Sequence, residues 1–429
     1  MSTSQDPPID LLRGLTQPRV SRRRMLQAGG LTALGAGLAA CSIAPARKAG
    51  GGSGGDSMWG QQRAIAAFWA EHAKPLGTLN FTNWPLYIDV DPDNPNVRPS
   101  LDEFTKKTGI KVNYREDINE VDTFYAKIAP LLKAGQSIGA DLIVITNGVY
   151  LTKLIANDYL LPLDQSAMPT FYAQASDLVK DPSFDRGNVF TMAWQSGITG
   201  IAYNPKLTGR EITSWQDMQD PKFKGKVGMF GENEDMPNSA LCAIGVNPET
   251  STEADWQKAA EWLKKQRPLV RKYYQQDYIQ PLTQGDLAIT MAWSGDIFQA
   301  MASNPKLNLK FVVPKEGAPI WTDNMCIPRY ADHPRDAMIY MDYVYQPEVA
   351  ATLADYINYI TPVPAAQQIF EQEAKDADND DDREYYQNLA TSPLIFPAEE
   401  DFARLHHYRV LTEDELITWN NIFEPIYQS

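Results

Sequence analysis

The 429-residue chain predicts an α/β protein built on a doubly wound, parallel sheet, and three stretches carry that prediction. Residues 79–84 (LNFTNW), 110–114 (IKVNY) and 140–145 (ADLIVI) are short runs of strand character, with helical patterns between them at 101–108 and 121–134. Strand–helix–strand alternation at that spacing requires parallel strands joined by crossover helices. The third run is apolar enough to be covered on both faces. Ligands of such sheets sit beyond the C-terminal strand ends, which puts Asn83, Trp84, Thr146 and Asn147 on one rim.

The other elements follow in order. A short helix (AIAAFWAEHA) precedes Pro75, Gly109 stops helix 101–108, and Pro130 should bend helix 121–134. Another helix begins at Val149. Residues 197–204 (GITGIAYN) read as a strand, 215–220 as a short helix and 227–230 as a strand. Residues 255–265 form a strongly amphipathic helix closed by Arg267-Pro268, and 287–293 and 309–313 are strands. Helices 334–345 and 347–356 each start with proline in the first turn. Residues 376–384 (DADNDDDRE) read as an acidic surface loop, without the sixth-position glycine and twelfth-position glutamate of a calcium loop. The tail from Ser392 mixes proline and aromatics and ends in a helix.

The N-terminus is an export signal. Residues 21–26 (SRRRML) resemble a twin-arginine pattern, and 28–40 is a small, uncharged run too short to span a bilayer. Residues 38–41 (LAAC) then resemble a lipobox, whose cysteine, Cys41, would receive lipid and become the new N-terminus. Residues 42–57 are Gly/Ser/Ala-rich, a flexible tether between lipid and folded body. The expected localisation is export, with a lipid anchor in the cell membrane on its periplasmic or extracellular side.

Removing residues 1–40 leaves 389 residues, comfortable for two domains, and shifts the net charge from −15 to −18. So acidic a chain argues against nucleic acid as a partner and favours attraction of cations. Beyond Cys41 only Cys242 and Cys326 remain, with no disulfide framework and no zinc spacing. They could pair in an oxidising compartment or serve as buried small hydrophobes.

Eight stretches carry a family resemblance: FTNWPLYI, SLDEFTKKTGIKVNY, GADLIVIT, SGITGIAYNP, SWQDMQDPKFKGKVGM, GDLAITMAWSGD, VVPKEGAPIWTDNMCIP and YINYITPVPAA. In this order they resemble the polyamine (spermidine/putrescine) substrate-binding proteins of ABC importers. The resemblance implies a two-lobed periplasmic-binding-protein fold with ligand clamped at the hinge. It divides the chain into signal (1–40), lipidated tether (41–77), lobe 1 (78–193 plus 297–429) and lobe 2 (194–296). Cys242 and Cys326 then fall in different lobes, where free thiols are expected. The resemblance also implies a monomer that needs no cofactor and delivers a polyamine to the membrane permease.

The chemistry of such a ligand can be stated independently. A polyamine carries fixed ammonium charges separated by methylenes, so it needs carboxylates for the charges and aromatic faces for the chain. The resemblance assigns Trp84 and Tyr87 as the aromatic pair of the first rim, with Leu86 where spermidine binders often carry an acid. It further assigns Glu232 and Asp235, Trp293 and Asp296, Trp321 and Asp323, and Tyr359, with Thr146 as a small hydroxyl on the rim. Each alone has a plainer reading: packing for the tryptophans, turn or cap roles for Asp235 and Asp296, a solvated loop for Glu232.

Two other functions have weaker support in the sequence. An exported hydrolase has one supporting string, residues 135–139 (GQSIG), but a helix precedes and a strand follows it, the reverse of a nucleophile elbow. The four histidines, His72, His333, His406 and His407, have no metalloprotease spacing. The same architecture holding ferric iron, or another cationic solute, is the alternative, because Tyr273-Tyr274 is an adjacent pair of the kind that serves as phenolate ligands.

Overall fold

A computed structural model describes residues 62–428 apart from Asn233 and Gln276. The export signal, Cys41 and most of the tether lie outside the described residues. Ten strands form one mixed sheet: β1 Thr78–Asn83, β2 Lys111–Glu116, β3 Leu142–Thr146, β4 Met192–Tyr203, β5 Val227–Phe230, β6 Val270–Tyr274, β7 Ile289–Trp293, β8 Lys310–Val312, β9 Ala318–Cys326 and β10 Leu405–His406. The main order is β2-β1-β3-β9-β4-β7-β5-β6, with β8 on β4 and β10 on β9.

The expected parallel sheets are present at the two ends. β1 runs parallel to β2 and β3, and β5 runs parallel to β6 and β7. The middle departs from expectation. β9 is antiparallel to both β3 and β4, and β4 is antiparallel to β7. These two strands are the crossings between lobes. β4 pairs with β9 over Met192–Ile198 and with β7 over Thr199–Tyr203, and every residue of both strands is buried.

Local chemistry sets the flanking helices. The helix Pro99–Thr108 begins with proline and ends at left-handed Gly109, as the sequence requires. The helix Val121–Lys133 continues through Pro130. The acidic stretch 376–384 is not a loop. It closes the helix Ala366–Asp376 and opens the helix Asp380–Thr391, capped by Asn379. Asp380, Asp381 and Asp382 occupy the first turn, where negative charge is favoured by the helix dipole.

Apolar packing divides the chain differently from the expected lobe boundaries. Lobe 1 has cores on both faces of β1–β3, around Phe81, Trp194 and Tyr340 on one side and Ile143, Ile145 and Leu151 on the other. Lobe 2 is built around Trp215, Trp256 and Met291. The tail, expected in lobe 1, joins that second core. Trp419 of the final helix Glu413–Tyr427 lies 5.2 Å from Trp256, edge to face, and Phe423 and Ile426 are buried beside it.

Cys242 and Cys326 are free thiols, buried in separate cores. Both are therefore expected to react with a maleimide once the protein is denatured without reductant. A mass spectrum with neither labelled would contradict this.

A candidate cation-binding cleft

The crossing strands set up one functional face. Side chains alternate along a strand, so Gln195, Gly197 and Thr199 of β4 share a face. Directly opposed residues share it too: Asp323 faces both Gln195 and Thr146, Trp321 faces Gly197, and Trp293 faces Thr199. Four of the expected site residues are thus placed together by register alone.

Three carboxylates gather there, each held by neutral donors. Asp323, 6% exposed, accepts the Tyr87 hydroxyl at 2.6 Å and the Thr146 hydroxyl at 2.5 Å. Asp296 accepts Tyr278 and Tyr359 at 2.6 and 2.8 Å. Asp235 accepts the Trp293 indole N–H at 2.7 Å, the Tyr408 hydroxyl at 2.7 Å and the Thr199 hydroxyl. Aromatic rings link the groups. Tyr359 lies 5.1 Å from Trp321 and 6.2 Å from Tyr87, and Trp293 lies 4.7 Å from Phe230. Backbone approach makes this packing feasible: a Cβ on Gly197 would stand 2.2 Å from the Trp321 ring, and one on Gly295 2.6 Å from Tyr359.

Burial dominates the electrostatics. Desolvation raises all three carboxyls, Asp323 to about 6. It also pushes the Tyr87, Tyr278, Tyr359 and Tyr408 phenols up, so they remain protonated donors. Among the described residues no ion pair involves Asp235, Asp296 or Asp323. Buried carboxylates without a cationic partner are costly, and an incoming cation relieves that cost.

Two expected residues also carry structural bonds. Glu232 accepts the backbone N–H groups of Glu234, Asp235 and Met236, so its carboxylate caps the helix Asp235–Ala243. Trp84 donates its indole N–H to Val144 at 3.0 Å and packs half-buried against the lobe-1 cores. Tyr273 and Tyr274 are consecutive on β6 and point to opposite faces, so the two phenols cannot share one iron. Ser137 bonds Asp332, with no histidine partner among the described residues.

Several residues escaped the sequence reading. Thr199, Tyr278 and Tyr408 buttress the carboxylates. Glu234 reaches from lobe 2 to the Val149 N–H of lobe 1 at 2.7 Å, and burial raises it to about 7. Strand alternation from Gly197 was the one signal available, and it could have found Thr199.

A family model described as bacterial extracellular solute-binding protein matches residues 100–381. The chain belongs to that family. This solute-binding protein is 32% identical over 363 residues to a spermidine/putrescine-binding periplasmic protein of Haemophilus influenzae, covering 83% of the chain and 91% of the relative. It is 30% identical over 305 residues to the corresponding protein of Salmonella typhimurium, covering 71% and 83%. Among solved structures, a spermidine/putrescine ABC transporter substrate-binding protein of Streptococcus pneumoniae superposes with a TM-score of 0.68 at 23% identity. That match covers 82% of this solute-binding protein and 98% of the other chain. The two-lobed fold of periplasmic binding proteins is thereby shown.

Proposed function

We propose that this solute-binding protein captures a polyamine of the putrescine–spermidine class between its lobes and hands it to the membrane permease of an ABC importer. The observation that carries the reading is the set of three carboxylates, Asp235 and Asp323 buried and Asp296 half-buried, with aromatic rings between them and no cationic partner among the described residues. Fixed ammonium charges match the carboxylates, and methylenes match the ring faces. The named relatives add support. Binding contacts come from Tyr87, Thr146, Asp235, Trp293, Asp296, Trp321, Asp323 and Tyr359, and no chemical step is catalysed.

A thermal-shift screen of residues 41–429 against polyamines, amino acids, sugars and ferric citrate tests it. A ligand at 100 times its Kd adds about 2.7 kcal/mol to native stability. A polyamine should raise Tm, and a shift with sugars or ferric citrate alone would refute the reading.

We further propose lipidation at Cys41, which the motif order at residues 21–41 supports. Intact mass after membrane extraction should show diacylglycerol on a chain beginning at Cys41. An unmodified chain starting elsewhere would refute it.

A further inference from the structure

The carboxylate clusters leave two polar atoms of the cleft face unanswered. Gln195 is 1% exposed and Trp321 7% exposed. Yet Gln195 Oε1 and Trp321 Nε1 have no hydrogen-bond partner among the described residues. Both stand on the face that carries Asp323, as diagonal neighbours across the β4–β9 pairing. A register shift between Ala193 and Gln195 places the glutamine there, with Trp194 as the extra residue held by its own bond to the Tyr87 carbonyl at 3.2 Å. Gly197 leaves the space the Trp321 indole fills.

The two atoms have opposite needs. An indole N–H can only donate, and an amide oxygen can only accept. Buried polar groups are nearly always paired, and leaving one unpaired is penalised. A protonated amine offers only donors, so a plain polyamine would satisfy Gln195 and leave the Trp321 N–H without an acceptor. A secondary amide answers both: its carbonyl accepts from Trp321 and its N–H donates to Gln195. The surrounding Tyr87 and Tyr359 rings can cover the methylenes and an acyl methyl group.

We propose that the preferred ligand is a mono-N-acylated polyamine whose amide is read by Gln195 and Trp321 while its free ammonium end is held by the cleft carboxylates. This rests on the polyamine reading above and narrows it to one chemical class. Gln195 and Trp321 are then specificity-determining residues that discriminate by uncharged hydrogen bonds, and the carboxylates supply the grip common to all polyamines.

Calorimetry on the mature chain with putrescine, N-acetylputrescine, spermidine and N1-acetylspermidine tests the proposal. The wild-type protein should bind each acetylated chain at least about tenfold more tightly than its parent. Gln195→Leu and Trp321→Phe, the second of which keeps an aromatic ring and removes the N–H, should each erase that preference. Parent amines binding as tightly as the acetylated forms, or more tightly, would overturn the proposal and leave the polyamine reading standing. Failure of all four ligands to bind would overturn both. Persistence of the preference in either variant overturns the role given to that residue. The wild-type comparison decides the ligand class even where a variant fails to fold.

Discussion

Asp296→Asn weakens a cationic ligand by about 2–5 kcal/mol and leaves the fold intact, the cost expected when a buried charge loses its partner. The substitution preserves shape. The new amide oxygen can still accept from Tyr278 or Tyr359, both of which now bond the carboxylate. What disappears is the negative charge, at a carboxyl that burial has already raised. Asp376→Asn is the control. That residue is exposed at the end of the helix Ala366–Asp376, where any attraction for ligand is long-range and screened by salt. Calorimetry of the two variants side by side separates local recognition from net charge. Equal losses, or no loss for Asp296→Asn, would refute the site.

Much of this site was legible because strand ends have sequence signatures. The runs 79–84 and 140–145 became β1 and β3, and Thr146 lies where the parallel-sheet rule put it. Asp235 and Asp296 were ambiguous between cap and ligand roles, and each does stand in the first turn of a helix. Their carboxylates accept side-chain hydroxyls and an indole rather than N-terminal backbone groups, so neither acts as a cap. Glu232 carries the capping role instead.

The largest omission was β9 as an element. Its residues, APIWTDNMC, interrupt an apolar pattern with Thr322, Asp323 and Asn324, and no strand period survives. Those polar residues are buried because they serve the cleft and its supports: Asp323 binds two hydroxyls, Thr322 bonds Ser196, and Asn324 bonds the Thr322 carbonyl. Function thus erased the local signal of the strand that carries it. Tyr408 was beyond reach for another reason. It meets Asp235 from 173 positions away, and only the packing of the tail on lobe 2 brings the two together.

Acidification is expected to weaken capture and to stabilise the empty protein, two opposite responses from one cause. Burial holds Asp323 at about 6 against a normal value of 3.8, and Glu234 at about 7 against 4.5, and it raises Glu232 as well. Each group therefore binds its proton more tightly when folded. Between the unfolded and folded values the native state carries more protons, so stability falls as pH rises from about 4 to about 7. The empty protein should thus melt higher at pH 5 than at pH 8. Ligand binding has the reverse sign. The ammonium groups stay charged throughout this range, so a cation must find Asp323 ionised or displace its proton. Affinity should then fall by up to about tenfold per pH unit below pH 6. Proton release should approach about one per ligand at pH 5 through this group, measured by calorimetry in buffers of different ionisation enthalpy. Asp323→Asn should flatten that limb while lowering affinity at neutral pH. An affinity independent of pH between 5 and 8, in a wild-type protein that binds the ligand, would show that Asp323 does not meet the cation.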